Sequence, residues 1–403
     1  MEKKLQLFKT ELNHELISIL NYWIDNTVDH KFGGFYGKID HFNGVIPKAP
    51  KGAVLNSRIL WTFSAAFNHF KKEKYLDIAT QAFEYSKGHF YDEKNGGLIW
   101  EVDYLGKPLN TRKQIYAQGF GIYGFSEYYK ATGNQESLDL ATSLFDKIET
   151  HSYDIEYGGY IEALDKEWNH LYDMRLSDKD ANFPKSMNTH LHVLEPYTNL
   201  YRVWENEMLA EKIQALIRVF LDHIIDTDTF HFNLFFEHDW EVKSRIVSYG
   251  HDIEGTWLLT EAAEIIGDIG LLREVQEIAL KMTEATLHEG TDGDGAIFYE
   301  KNIETNHLDT DKHWWPQAEA VIGFINAYQI SGDQKYLQKS MDVWQFINDN
   351  LFDPIHGEWF WSVNMDGVPN EKEDKAGFWK CPYHNTRACI EGIERLLLIN
   401  QKT

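Results

Sequence analysis

The sequence predicts an all-α fold, an (α/α)6 barrel of twelve helices with short β-hairpins at one rim. Three observations support this prediction: a hairpin motif that returns about every sixty residues, an apolar helix after each hairpin, and an amphipathic helix after that. Six such units fill the 403 residues, with no linker or low-complexity segment between them. We therefore expect a single catalytic domain over residues 1–403.

The six hairpin motifs share aromatic residues around a tight turn. They begin at Lys31, Lys94, Glu156, Phe230, Gly293 and His356. Five of them contain glycine, which tight turns favour, whereas the fourth motif, 230–237, contains none. Because the motifs recur at the same place in each unit, we expect all six hairpins at one rim of the barrel.

Two kinds of helix follow each hairpin. The first kind is apolar nearly all round, and these helices are expected to begin near Leu55, Gln114, Asn188, Tyr249, His313 and Pro382. The second kind is amphipathic, as in 74–89, 135–151 and 334–351. A sheltered position suits glycines such as Gly119, each of which costs about 1 kcal/mol relative to alanine in a helix. The apolar helices therefore form the inner ring, and the amphipathic helices surround them.

Composition and charge exclude several classes of partner. The formal net charge of −24 opposes phosphate backbones and anionic lipid headgroups, and no cluster of Lys or Arg offsets it. No stretch approaches roughly 18 uninterrupted apolar residues, and the first residues lack an apolar signal core. We therefore expect a cytoplasmic protein that binds neither nucleic acid nor membrane. Cys381 and Cys389 would lie about 12 Å apart on one helix, too far for a disulfide.

The rim where six helix N-termini converge is the expected place for chemistry, because free N–H groups and positive dipole ends favour developing negative charge there. His251 and Glu254 lie three residues apart near one of these starts, so on a helix the carboxylate can fix and charge the imidazole. The pair suits acid–base chemistry. A helical His-x-x-Glu also arises by chance in a structural or surface role.

Two other histidines lie near helix starts. Asn188, His192 and Glu195 share a helix face, whereas His190 points elsewhere, so His192 is preferred as the functional residue. The alternative is a core histidine that Glu195 satisfies. His384 follows Pro382, which suits a first helical turn and places the imidazole near the rim, where it serves chemistry or only caps the helix.

Arginine and tryptophan side chains complete the candidate site. Arg58 is flanked by apolar positions, and a buried guanidinium is costly unless it faces an anion or oxyanion, which leaves an ion pair as the alternative. Trp314, Trp315 and Trp379 lie near helix starts. They serve either as core residues or as stacking surfaces for sugar rings.

No motif in the sequence indicates a metal or a nucleotide. Asp292-Gly-Asp-Gly has the start of a calcium loop but lacks the later EF-hand ligands. The His-x-His at His190 and His192 is not completed by a recognised set of Cys or carboxylate ligands. No Gly-x-x-x-x-Gly-Lys loop occurs. We therefore expect no metal and no cofactor.

Four segments in order, 188–197, 248–254, 314–320 and 380–387, resemble the N-acylglucosamine 2-epimerase superfamily and, within it, the cellobiose 2-epimerase branch. The resemblance extends over essentially the whole chain. It implies reversible epimerisation at C2 of the reducing-end glucose in β-1,4-linked disaccharides, converting cellobiose to glucosyl-mannose and lactose to epilactose. It implies no cofactor. The substrate is a small disaccharide, and we expect a monomer.

The resemblance also implies roles for named residues. His251 and His384 become the acid–base pair, with His192 and Glu254 as their supports and Arg58 as a contact to the sugar oxygen near the reacting carbons. The implied substrate contacts are Tyr116, Asn188, Trp314, Trp315 and Trp379. The reaction needs an open-chain aldehyde, because the C2 proton becomes removable only when the carbonyl takes up the charge as an enediolate.

Four other functions compete with this interpretation. A mannose-type aldose–ketose isomerase shares the enediolate and returns the proton to C1, and an N-acylglucosamine 2-epimerase differs in its substrate. A glycoside hydrolase requires two carboxylic groups flanking the scissile bond, where this rim carries histidines. A non-enzymatic sugar-binding protein explains the tryptophans without paired histidines.

Overall fold

The computed structural model describes residues 2–402, and this part contains twelve α-helices. In chain order they are α1 (Glu2–Thr27), α2 (Ala53–Phe70), α3 (Glu73–Tyr85), α4 (Ile115–Thr132), α5 (Gln135–His151), α6 (Met187–Tyr201), α7 (Glu207–Val219), α8 (Tyr249–Ile266), α9 (Ile269–Glu289), α10 (Trp314–Ser331), α11 (Gln334–Phe346) and α12 (Tyr383–Lys402). Three outer helices continue into one π-helical turn, at Ser86–Phe90, Phe220–Ile224 and Ile347–Leu351.

The even-numbered helices form the predicted inner ring. Each packs against the next even-numbered helix, and α12 packs against α2, which closes the ring. Each odd-numbered helix packs outside an even-numbered one, with α1 against α12. All six inner helices begin within two residues of the predicted starts, and the predicted (α/α)6 barrel is confirmed. No helix between Glu2 and Lys402 combines the length and apolarity needed to cross a membrane.

Twelve short strands line one rim in the described part of the chain. They are β1 (Lys51–Gly52), β2 (Glu101–Val102), β3 (Pro108–Asn110), β4 (Lys113–Gln114), β5 (Ala163–Leu164), β6 (Lys185–Ser186), β7 (Phe235–Phe236), β8 (Ile246–Ser248), β9 (Glu300–Asn302), β10 (His307–Asp309), β11 (Lys312–His313) and β12 (Ser362–Val363).

The strands join neighbouring units around the rim. The strand before an inner helix pairs antiparallel with the hairpin strand of the next unit, giving the pairs β1–β2, β4–β5, β6–β7, β8–β9 and β11–β12, with β3 and β10 added at two of them. The Ile39 N–H donates to the Ala376 carbonyl at 2.8 Å and connects the last unit to the first. The hairpins therefore hold the inner-helix starts in a closed circle.

The fourth hairpin forms, without glycine, the same turn hydrogen bond as the third. Phe230 has a φ of 59°, and its N–H donates to the Asp226 carbonyl at 2.7 Å. Gly158 in the third hairpin has a φ of 71° and donates to Asp154 at 2.9 Å. Phe230 therefore occupies a glycine position in the left-handed region, at a cost of about 1–2 kcal/mol.

Buried lysines fasten five of the hairpins to the barrel, a feature that the sequence analysis did not anticipate. The pairs are Lys51–Asp29, Lys113–Asp92, Lys185–Asp154, Lys312–Asp292 and Lys375–Asp353, with Nζ to Oδ2 distances of 2.6–3.0 Å. In the fourth unit Val247 stands where the lysine would be, one residue before Ser248. Asp292, the first residue of the calcium-like segment, is thus paired with Lys312.

Candidate active site

One position on the inner helices, three residues after the helix start, ties the hairpins to the barrel. Four of these side chains, the clamp residues, each accept a hydrogen bond from a hairpin N–H. The bonds are Leu98 N to Gln118 at 2.6 Å, Tyr160 N to His190 at 2.9 Å, Phe232 N to Asp252 at 2.8 Å and Ile297 N to Gln317 at 2.9 Å.

His190 is such a clamp residue and is fully buried. Its Nε2 accepts from Tyr160, and its Nδ1 donates to the Ser186 carbonyl at 2.6 Å, so both ring nitrogens are occupied. Burial lowers the pKa of His190 to about 4. His190 is therefore a neutral structural side chain, and its predicted separation from the face that carries His192 is confirmed.

The position five residues after the helix start carries most of the charged groups at the barrel axis. Arg58, His192, Glu254 and Glu319 all occupy it, on α2, α6, α8 and α10. These four side chains are buried. Because they share one register on helices of one ring, they lie at the same height in the barrel.

Arg387 of α12 binds three carboxylates that we call the glutamate cluster, Glu195, Glu254 and Glu319. Its Nη2 donates to Glu254 and Glu319, each at 2.7 Å, and its Nη1 donates to Glu195 and to the Tyr383 hydroxyl. Burial alone would raise the pKa of Glu195, but the guanidinium lowers it to about 2. Burial and the charge of Glu319 raise the pKa of Glu254 well above its usual value.

His192 is held by the glutamate cluster. Its Nδ1 lies 3.0 Å from Glu195 Oε2, which accepts the Nδ1 proton and leaves a lone pair on Nε2. The ring packs against Tyr116 and Phe120, with centroids 5.0 and 5.1 Å away. Burial lowers its pKa, so the imidazole is neutral.

His384 has a carboxylate partner of its own. Its Nδ1 lies 2.7 Å from Glu319 Oε1 and 3.9 Å from Glu254 Oε1. Burial, followed by the charges of Arg58 and Arg387, lowers the pKa of His384 well below its usual value. The site therefore holds a neutral imidazole whose Nε2 makes no hydrogen bond within residues 2–402, beside a carboxylate that stabilises the imidazolium once a proton arrives.

His251 does not bind Glu254, so the predicted contact between these two side chains is wrong. His251 Nδ1 lies 2.8 Å from the Ser248 hydroxyl, whereas Glu254 binds Arg387. Helical side chains lean toward the helix N-terminus, so His251 in the first turn reaches back to Ser248, while Glu254 lies one turn deeper at the barrel axis. Burial, and to a smaller extent His192, lowers the pKa of His251 to about 3.

Trp315 lies against both of these histidines. Its ring centroid is 4.6 Å from that of His251 and 5.7 Å from that of His384. Gly250 makes room for the indole, because a Cβ there would lie 2.6 Å from Trp315 Cη2. Trp314 is buried between Lys380 and Trp361, and its indole N–H has no hydrogen-bond partner among the described residues.

Arg58 has no carboxylate partner among the described residues, so the predicted alternative of a buried ion pair is wrong. Its Nη2 donates to the Tyr116 hydroxyl at 2.7 Å, and its guanidinium carbon lies 4.1 Å from the Phe120 ring centroid and 4.8 Å from that of Tyr383. A buried cation without a counter-ion is costly unless an anion forms beside it.

Asn188 and Trp379 face cavities near the rim. The amide oxygen of Asn188 has no hydrogen-bond partner in a small cavity lined by Glu162 and Phe235. Trp379 is half-buried, with its ring centroid 6.0 Å from that of Tyr116. Trp379 also lines a neighbouring cavity of about 280 Å³ together with Trp100, Glu101, Arg112 and Arg175.

Glu254, Glu319 and His384 have ligand atoms within 4.8 Å of one another, a separation that a metal ion would accept. Arg387 Nη2 already bridges the two carboxylates at 2.7 Å. The guanidinium therefore supplies the positive charge that a metal would bring to this set.

Ser248, Glu319, Tyr383 and Arg387 lie in the family-like segments 248–254, 314–320 and 380–387, but the sequence assigned them no role. A signal for Glu319 was present, since it occupies the same helix position as Glu254. Tyr383 and Arg387 lie four apart on α12, a spacing that places them on one face. Their partner Glu195 is 188 and 192 residues away, which no local pattern shows.

Comparison with known proteins places this arrangement among sugar-modifying enzymes. The family model of N-acylglucosamine 2-epimerase matches residues 34–388. The chain is 52% identical over 387 residues to a cellobiose 2-epimerase of Bacteroides fragilis, covering 96% of this chain and 98% of that protein. It is 39% identical over 395 residues to a cellobiose 2-epimerase of Dictyoglomus turgidum, covering 97% of this chain and 100% of that protein.

A solved structure shows the same similarity in three dimensions. The cellobiose 2-epimerase of Bacillus thermoamylovorans B4167 superimposes with a TM-score of 0.93 at 40% identity, covering 97% of this chain and 100% of that one. The match therefore includes the whole barrel and every inner helix that supplies the site.

Proposed function

Because the chain belongs to the N-acylglucosamine 2-epimerase family, we propose that it epimerises C2 of the reducing-end glucose in β-1,4-linked disaccharides. Cellobiose would yield glucosyl-mannose, and lactose would yield epilactose. The names of the relatives support the substrate class. The arrangement of His251, His384 and Arg58 supports the chemistry.

The observation that carries the proposal is the pair of neutral histidines, His251 and His384, whose rings pack against the Trp315 indole. His251 and His384 each use Nδ1 for a protein partner and leave Nε2 free. After the sugar ring opens, Nε2 of one histidine takes the C2 proton, and after rotation about C2–C3 the same imidazolium returns a proton to the opposite face. Alternatively the other histidine returns the proton, once its Nε2 has taken one up from solvent. Their lowered pKa values keep the rings uncharged and able to accept a proton at neutral pH.

Arg58 is suited to the charge that forms in this step. Removal of the C2 proton places negative charge on the oxygen at C1, giving an enediolate. The Arg58 guanidinium lacks a carboxylate partner, so it can donate to that oxygen without breaking an ion pair. His192 and Glu254 act as supports, through Glu195 and Arg387 respectively.

The second sugar of a disaccharide needs space beside the reacting one. Trp379 offers an exposed indole face next to Tyr116, and the 280 Å³ cavity beside it is lined by charged groups that hydrogen-bond to hydroxyls. The unpaired oxygen of Asn188 and the rings of Tyr116, Trp314 and Trp315 complete the proposed substrate contacts. We also place the protein in the cytoplasm as a monomer, in keeping with its two free buried cysteines.

Two of the competing functions, hydrolysis and sugar binding without catalysis, fit the geometry less well. A glycoside hydrolase needs two carboxylic groups on either side of the bond, but all three members of the glutamate cluster are bound to Arg387. A sugar-binding protein has no need of histidines with free Nε2 atoms. A mannose isomerase uses the same groups and differs only in the carbon that receives the proton.

A panel of sugars tests the proposal. The purified protein is incubated separately with cellobiose, lactose, mannose and N-acetylglucosamine, and products are identified by NMR. We expect C2 epimers of the two disaccharides to form fastest. Fructose from mannose as the main product would establish the isomerase instead, and free monosaccharides from cellobiose would establish a hydrolase.

A further inference from the structure

Ser248 is the N-cap residue of α8, yet its side chain does not cap the helix. Five other helices begin with a residue whose side chain accepts from an amide of the first turn. These residues are Asn134, Ser186, Asn206, Asp268 and Asp333. An N-cap bond of this kind contributes about 1 kcal/mol to stability. Ser248 gives up that contribution, which indicates another use for its hydroxyl.

The hydroxyl of Ser248 is directed to His251 instead. The Oγ to Nδ1 distance is 2.8 Å, and Ser248 is buried. The other groups around His251 do not compete for this nitrogen. Trp315 of α10 contacts the ring through its indole, His192 of α6 directs its own Nδ1 to Glu195, and Glu254 of α8 binds Arg387.

The two histidines therefore have partners of different chemistry. Glu319 carries a carboxylate, which accepts the Nδ1 proton of His384 and stabilises the imidazolium form. Ser248 carries an uncharged hydroxyl, which orients His251 without favouring its protonation. Which nitrogen of His251 holds the proton depends on whether the hydroxyl accepts or donates.

We propose that Ser248 is a positioning residue that accepts the Nδ1 proton of His251 and so keeps the lone pair of the neutral ring on Nε2, facing the sugar. This inference rests on the proposed function, because only an Nε2 lone pair can remove the C2 proton. Loss of the hydroxyl frees Nδ1, so the ring loses both its orientation and the bond that selects its tautomer.

The test compares Ser248→Ala with Ser248→Thr, which keeps the hydroxyl. In Ser248→Ala we expect kcat for cellobiose to fall about tenfold or more, the factor that corresponds to one neutral hydrogen bond, with little change in KM because Ser248 does not touch the sugar. Ser248→Thr should retain most of the rate. Asn134→Ala is the control, since it removes a true N-cap far from the site: its melting temperature should fall while kcat stays unchanged.

Nitrogen-15 NMR of the histidine rings supplies a measurement that needs no substrate. The His251 signals, identified by their loss in His251→Asn, should show the Nδ1–H tautomer in the wild type and in Ser248→Thr but not in Ser248→Ala. An Nε2–H tautomer in the wild type, or an unchanged kcat and tautomer in Ser248→Ala, would overturn the inference. Failure of the proposed function is distinguishable, because the wild type would then form no C2 epimer at all.

Discussion

His190 and His192 lie two residues apart on α6 and serve different purposes. His190 has both ring nitrogens occupied by backbone groups of the hairpin and the helix start. His192 has one nitrogen on Glu195 and the other free at the barrel axis. The same division separates the clamp residue Gln317 from Glu319 on α10.

Glutamine should replace His190 but not His192. Gln118 and Gln317 fill the clamp position in other units, so His190→Gln should fold and keep a near-normal kcat. His192→Gln should fold and lose at least tenfold in kcat, because glutamine cannot reproduce a carboxylate-bound imidazole. Epimerisation rates of the two variants check this. An equal loss of kcat in both would contradict the assignment of a structural role to His190 and a functional role to His192.

The His190 variant should also change how stability depends on pH. Burial lowers the folded-state pKa of His190 from 6.5 to about 4, so below pH 6.5 the unfolded chain gains a proton that the folded chain cannot take. Wild-type stability should therefore fall by up to about 1.4 kcal/mol per pH unit between pH 6.5 and 4 from this residue alone. His190→Gln should lack that component in urea titrations at several pH values. If the free energy of unfolding depended on pH in the same way in both proteins, the lowered pKa of His190 would be wrong.

Much of the site was visible in the sequence as single residues, but its bonds were not. The i, i+3 spacing correctly joined His192 to Glu195 and wrongly joined His251 to Glu254. The wrong pairing followed from treating the first turn as if it were a helix interior. The bonds of Arg387 to the glutamate cluster connect four helices, and local spacing contains no information about them.

At the scale of elements, two glycines let α4 approach the backbones of its neighbouring inner helices. A Cβ on Gly119 would lie 2.2 Å from the carbonyl oxygen of His192, and a Cβ on Gly124 would lie 2.8 Å from that of Ser57. Glycine is therefore required for close approach of the helix backbones, which explains a residue that otherwise weakens helices.

Gly119→Ala should destabilise the barrel by about 2 kcal/mol or more, since the obstructing atom belongs to the backbone and cannot rotate away. The epimerisation rate should fall as well, because the contact is with the backbone of His192, and a shift of α6 there would move the His192 side chain. Gly88→Ala is the matched control, as a Cβ at Gly88 meets nothing within 4 Å. Melting temperatures of both variants check the prediction, and similar values would show that α6 adjusts freely.

Periodicity predicted the helices well because each inner helix is apolar on all sides and each outer helix on one. It did not predict the turn of the fourth hairpin. Phe230 adopts a left-handed φ there, and a phenylalanine in the sequence gives no sign of that conformation. It also did not reveal the buried lysines, because Lys51 and Asp29 lie far apart in sequence and each reads as an ordinary surface charge.

Considered as a whole molecule, the barrel gathers charge at its axis and balances it with its own residues. Arg387 of α12 joins Glu195 of α6, Glu254 of α8 and Glu319 of α10, and Arg58 of α2 lies nearby on Tyr383. Four of the six inner helices are therefore connected through one guanidinium. Breaking such a buried network by removing one partner costs about 3–5 kcal/mol.

Chelation should leave the activity unchanged. The set of Glu254, Glu319 and His384 has the spacing of a metal site, but Arg387 already pairs with both of its carboxylates. Exhaustive dialysis against EDTA, followed by measurement of cellobiose epimerisation, checks this. A loss of turnover that a divalent ion restores would show that a metal takes part.

The central claim is that His251 and His384 move a proton at C2, and solvent deuterium tests it most directly. In heavy water the epimer should gain deuterium at C2, because a proton held on a histidine exchanges with solvent before it returns. His251→Asn and His384→Asn should each fold and lose about 10²–10⁴ in turnover, since asparagine keeps the approximate shape without a titrating nitrogen. Product without deuterium, together with near-normal turnover in both variants, would contradict the account.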